Sequence, residues 1–177
     1  MLLPMALVWL TAALMLVLNG SASAPQSTPQ STPQSAPRGS AGCVGVPRSL
    51  PGQGVADAIA EVANLSTVAS GISSAGLAAE LNGLPQVTVF APANEAFRRL
   101  PDHAQVDGSI LRYHAVPKRL GPDRIVGTHP TLHGAQLSIA RGDGHVRVNA
   151  TAALICTRVE AANGNVYLID ALLTPPR

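Results

Sequence analysis

Few residues in this chain could do chemistry, and their spacing decides what kind. Cys43 and Cys156 are the only cysteines, 113 positions apart. In an exported chain an even, small count favours one bridge closing almost a whole domain; the alternative is two buried thiols. Arg141-Gly142-Asp143 is the tripeptide that integrins read through a metal-bound aspartate. Gly142-Asp143-Gly144 is also ordinary hairpin chemistry, which leaves only Arg141 as extra. His129 and His133 have the i, i+4 spacing of a metal-binding helix, but Pro130 and Gly134 oppose a helix there. With both cysteines in a disulfide, a zinc site lacks ligands. No serine sits in a G-x-S-x-G elbow. Of the ten carboxylates, Glu95, Asp102 and Asp107 are nearest one another, and nothing sets two of them across a cleft. These residues point away from an enzyme and call for no metal and no cofactor.

The segments that must carry them divide into three. Residues 1–24 contain no charged side chain and hold an apolar run from Met5 to Leu18, too short to span a bilayer comfortably. Ala22-Ser23-Ala24 follows as an A-x-A cleavage pattern, so residues 1–24 read as a secretory signal peptide. No Lys or Arg precedes the run, and its retention as an anchor is the alternative. Residues 25–42 repeat a Gln-Ser-Thr-Pro tetrad, a Pro-biased extended linker with Ser and Thr open to O-glycosylation. Ser40-Ala41-Gly42-Cys43 looks like a lipobox, but a lipobox must abut its hydrophobic run and this one lies beyond the linker. Residues 43–177 are left as one domain of a usual size. The chain is therefore expected outside the cell or held at its envelope, as a monomer, with no membrane span once the signal is cleaved. A nucleic-acid partner is excluded: the net charge is +2 without a basic stripe, and aromatic residues make up 3% of the chain.

Within the domain, Val55, Ile59 and Val62 recur at helical spacing, and Leu65, Val68, Ile72, Leu77 and Leu81 continue the stripe, broken near Gly71 and Gly76. Two short helices joined around Asn64 are predicted. Gln86 to Ala91 reads as a buried strand, and Asn94 as the cap of a short helix holding Phe97 and Leu100. The period then changes from 3.6 to 2. Leu137 and Ile139, then Val146 and Val148, alternate with polar residues around the 142–144 turn, and further strands fit 153–160 and 165–169, with a turn at Ala162-Asn163-Gly164. Helices first and antiparallel strands after give an α+β domain.

Three segments carry a resemblance. Thr88 to Phe97, TVFAPANEAF, resembles the first signature of fasciclin I-type domains, which usually reads TVFAPTNEAF. Ile110-Leu111-Arg112-Tyr113-His114-Ala115-Val116 is similar to their tyrosine-histidine segment, and Asn163 to Leu173 to their closing signature. The likeness runs over about residues 50–176, with a narrower similarity to the exported fasciclin-like antigens of mycobacteria, which carry cysteines at the places of Cys43 and Cys156. The departure is Ala93, where Thr is common; its hydroxyl cap is missing, leaving more of that work to Asn94.

The resemblance implies a wedge of antiparallel strands packed with short helices, and non-catalytic adhesion to a surface or matrix. It leaves the partner open among protein, glycan and lipid. The other readings of the sequence are an extracytoplasmic carrier of a small ligand, lipid or glycan, and behind it a hydrolase. In animal relatives the tyrosine-histidine segment is associated with integrin binding, which makes Tyr113 and His114 candidate contacts beside Arg141, Gly142 and Asp143. Their apolar neighbours Leu111 and Val116 argue instead for a satisfied core pair.

Overall fold

The computed structural model describes Cys43 and residues 45–100, 106–142, 144–156 and 158–176. The expected signal peptide and linker, Asp102 and Asp143 lie outside the described residues. In chain order the elements are β1 (Ser49–Leu50), α1 (Val55–Glu61), a 3-10 turn (Ala63–Leu65), α2 (Ser66–Ser74), α3 (Ala78–Gly83), β2 (Val87–Pro92), α4 (Asn94–Arg98), α5 (Gly108–Tyr113), β3 (Ala115–Val116), β4 (Gly127–Pro130), β5 (Gln136–Gly142), β6 (His145–Val148), β7 (Ala152–Ala153), β8 (Val159–Ala161) and β9 (Gly164–Ile169). The class is α+β.

Two sheets form, one ordered β1-β8-β9-β2-β3 and the other β4-β5-β6-β7. The smaller sheet is antiparallel throughout, as the alternating sequence suggested. The larger is mixed: β2 and β9 pair in parallel over their whole length, and β1 runs parallel to β8. Every residue of β2 and β9 is buried, and a parallel pair covered on both faces reads as a continuous apolar run with no alternation to mark a side.

That pair separates two cores. Val87, Val89, Ala91, Val166 and Leu168 face α1, α2 and α3, together with Ile59, Leu65 and Ile72. Phe90, Tyr167 and Ile169 face the opposite way, onto Leu137, Ile139 and Val148 of the smaller sheet. Successive residues of a strand point to opposite sides, so one strand serves both layers. Phe90 and Tyr167 stack with centroids 5.8 Å apart. Cys43 is bonded to Cys156, tying the entry of the domain to the turn before β8.

Three local expectations need correction. The stripe from Val55 to Leu81 is cut into α1, the 3-10 turn, α2 and α3 instead of two helices, with Gly76 left-handed at the second break. The strand expected over 153–160 is split into β7 and β8, with Cys156 between them engaged in the disulfide. Asn94 does not cap its own helix. It is the first helical residue, after Ala93 at the cap position, and its side chain reaches back to α2: Oδ1 accepts from the Thr67 N–H at 3.0 Å, and Nδ2 donates to the Ala63 carbonyl and the Ser66 hydroxyl.

Among the described residues, the β6–β7 turn holds the non-glycine positions of positive φ, Asn149 at 51° and Ala150 at 57°. Asparagine tolerates this region, whereas alanine there is strained by roughly 1 kcal/mol. Ala150→Gly should therefore raise stability by about 0.5 to 1 kcal/mol, read as a higher urea midpoint at unchanged slope.

Candidate functional site

Tyr113 ends α5, whose start is fixed by Asp107: its carboxylate accepts from the Ile110 N–H at 2.9 Å. Helix α5 then turns directly into β3, so Tyr113 and His114 enter the interior between the two sheets. Tyr113 is 2% and His114 1% exposed. The Tyr113 hydroxyl donates to the Gln136 carbonyl at 3.1 Å and accepts from Asn149 Nδ2 at 2.7 Å, while His133 packs edge-on against the ring. Both hydrogen-bonding capacities of the phenol are spent on the smaller sheet.

The imidazole is held as firmly. His114 Nδ1 lies 2.8 Å from the Ile110 carbonyl, which can only accept, so Nδ1 carries the proton. The Leu173 N–H donates to Nε2 at 3.0 Å, so Nε2 carries none. Burial pushes the pKa down to about 4, against a smaller upward pull from the Ile110 carbonyl. The ring is neutral and links α5 to the segment after β9. No partner outside the fold can touch this pair without opening the core.

Arg141 and Gly142 sit at the far end of the β5–β6 hairpin, paired with Val146 and His145 and exposed. Gly144 supplies the positive φ of the turn, at 76°. Gln136, which receives the Tyr113 hydroxyl, begins β5 and Gly142 ends it, about 20 Å away at strand rise. The two groups of candidate contacts are thus at opposite ends of one hairpin. The remaining suspects are also dispersed. His129 Nε2 bonds the Ile125 carbonyl at 3.0 Å, Glu95 pairs with Arg98 in the same helix, and among the described residues no three His, Cys, Asp or Glu converge. Asn149-Ala150-Thr151 has the pattern of an N-glycosylation acceptor, but Asn149 is unsuited to a glycan, since its Nδ2 is bound to Tyr113 and its Oδ1 accepts from the Ser138 N–H.

Two asparagines do work that the sequence did not announce, although Asn163 stood there as a turn residue. Asn163 accepts from the Val55 N–H at 2.8 Å and donates to the carbonyls of Leu81 and Leu84, joining the β8–β9 turn to the start of α1 and the end of α3. Asn82 completes that junction by accepting from the Ala56 N–H at 2.9 Å. Each is a cap supplied from a distant part of the chain, worth about 1 kcal/mol. Arg119 crosses to the same turn, donating to the Ala161 carbonyl at 2.9 Å.

The comparisons agree with this architecture. The family model described as Fasciclin domain matches residues 63–175. The cell surface glycolipoprotein MPB83 of Mycobacterium bovis is 41% identical over 135 residues, covering 69% of this chain and 60% of that protein. The immunogenic protein MPB70 of the same species is 40% identical over 99 residues, 51% of each chain. Among solved structures, the FAS1 domain pair of the insect cell adhesion molecule fasciclin I superposes with a TM-score of 0.51 at 25% identity, covering 64% of this chain and 46% of that one. The chain thus spans between 46% and 60% of the length of these relatives. It belongs to the fasciclin domain family.

Proposed function

We propose that this protein is a non-catalytic binding module, acting outside the cell or at its envelope, that attaches to a surface or matrix partner. The observation that carries the reading is how the polar side chains are used. Tyr113, His114, Asp107, Asn163 and Arg119 are all committed to backbone groups, so what a partner can meet is the exposed surface of a rigid scaffold. The relatives named as cell surface and cell adhesion proteins support the same reading, as does the expected export signal in residues 1–24. No described helix is long and apolar enough to cross a membrane. The module works as a monomer.

We expect attachment not to depend on the 141–143 segment: Arg141 and Gly142 are paired residues of β5, and the one glycine of this turn that needs a positive φ is Gly144, beyond the tripeptide. The test is binding of cells and matrix proteins to the immobilised protein, comparing the unmodified chain with Asp143→Glu, which keeps the charge but lengthens the arm that integrin-type coordination measures. Equal attachment of both is expected. Loss of metal-dependent attachment in a folded variant would make the tip the contact, and no attachment by either would refute the adhesive reading.

A further inference from the structure

An open cleft of about 740 Å³ lies where Arg48, the tip of the β5–β6 hairpin and the turn before β8 come together, with the Cys43–Cys156 disulfide in its wall. The volume falls in the range of small-molecule sites, roughly 300 to 1,000 Å³. Its floor is apolar, made by Ile125, Val146, Leu154, Ile155 and Tyr167. Its rim carries Arg48, Arg141 and Arg158, and among the described lining residues they face a single carboxylate, Glu160. That carboxylate is committed, since Arg158 grips it through both Nε and a terminal nitrogen. Arg48 and Arg141 are exposed and form no ion pair among the described residues.

We propose that this cleft binds a single acyl chain ending in an anionic headgroup, carboxylate or phosphate. The chain lies on Ile125, Val146 and Leu154, and the headgroup meets the Arg48 and Arg141 guanidinium groups. A guanidinium offers a planar fork of donors that matches carboxylate and phosphate oxygens, and it is always charged. A sugar fits less well, because the one aromatic in the lining, Tyr167, is buried and its hydroxyl is already donated to the Leu120 carbonyl. The chain's own residues 25–42 join the domain beside Cys43, but Pro and Ala are their only apolar side chains and Arg38 their only charge, of the wrong sign for this rim. The site is independent of the adhesive reading, since a protein that attaches no cells can still take up a lipid here.

The experiment is calorimetric titration of the full chain with palmitate and with lysophosphatidate, each below its micellar concentration. Lysophosphatidylcholine supplies the acyl chain without net charge, and inorganic phosphate the charge without a chain. Saturable binding of one palmitate or one lysophosphatidate per protein is expected, with both controls weaker by at least about tenfold. The double variant Arg48→Gln/Arg141→Gln, which removes two exposed unpaired cations and should melt like the unmodified protein, should lose about tenfold for both anionic lipids. Equal binding of lysophosphatidylcholine, phosphate alone binding as tightly as lysophosphatidate, an unaffected double variant, or no saturable binding would each overturn the proposal. So would a tenfold gain on deleting residues 25–42, which would make that segment the resident occupant.

Discussion

Gly164→Ala should leave no cooperatively folded protein. A Cβ built at Gly164 would stand 2.0 Å from the Val87 carbonyl oxygen and 2.9 Å from its carbon, both backbone atoms of the neighbouring strand. Relief requires prising β9 from β2, and those strands carry the buried residues of both cores. The expected loss exceeds about 5 kcal/mol, comparable to the whole stability of a domain this size. The matched control is Gly83→Ala, where a new Cβ meets nothing within 4 Å and φ is not positive. There the change should stay within about 0.5 kcal/mol. Urea unfolding followed by near-ultraviolet circular dichroism separates the two; a cooperative transition for Gly164→Ala within 2 kcal/mol of the unmodified protein would show that the strand junction yields easily.

His114→Ala should cost about 5 kcal/mol. Removing the ring leaves the Leu173 N–H without a partner, at about 1 to 3 kcal/mol, leaves the Ile110 carbonyl only the His114 N–H at 3.2 Å, and opens a cavity at a site only 1% exposed. The same burial makes stability pH-dependent. In the folded chain the imidazole takes a proton only near pH 4, whereas the unfolded chain takes one near 6.5. Its contribution is therefore fully present above pH 6.5 and is lost as the pH falls toward 4, by a total of about 3 kcal/mol. Denaturant midpoints from pH 7.5 to 4 should decline along this course, and His114→Gln should flatten the decline. Normal stability of the alanine variant with loss of a partner would reverse the assignment and make His114 a contact.

How much of this was readable in advance can be judged residue by residue. The stripe Val55, Ile59, Val62 and the alternation around Leu137, Ile139, Val146 and Val148 are local patterns, and the structure buries them as their periods require, Val146 at the strand edge only partly. The pairing of β2 with β9 is not local: two continuous apolar runs carry no mark of direction or register. Strand β4 was invisible because its residues are largely exposed and end in a proline, at the edge of the smaller sheet. Gly164 was legible as glycine but for another reason. Asn163-Gly164 suggests a turn needing positive φ, yet Gly164 begins β9 and is small because Val87 lies against it. Asn94 looks like the cap of its own helix and Asn163 like a turn residue, and they instead serve helices 27 and 108 residues away, which no local rule anticipates. The cleft could not be foreseen either, since Arg48, Arg141 and Arg158 come from three separate segments.

The parallel contact between β2 and β9 also governs the order of events during synthesis. Val87 meets Gly164 and Pro92 meets Ile169, so the first long strand finds its neighbour only after more than seventy further residues have been made. Contacts at such sequence separation slow folding, because loop closure must precede any gain from burial. Until β9 emerges, β2 has only the two residues of β3 to pair with, and the helices and the smaller sheet on its two faces have only half of the central pair to pack on. The two cores therefore close together and late, when β9 docks, and neither is finished without it. The disulfide, joining residues 113 apart, closes on the same late schedule and locks the entry of the domain to the turn before β8.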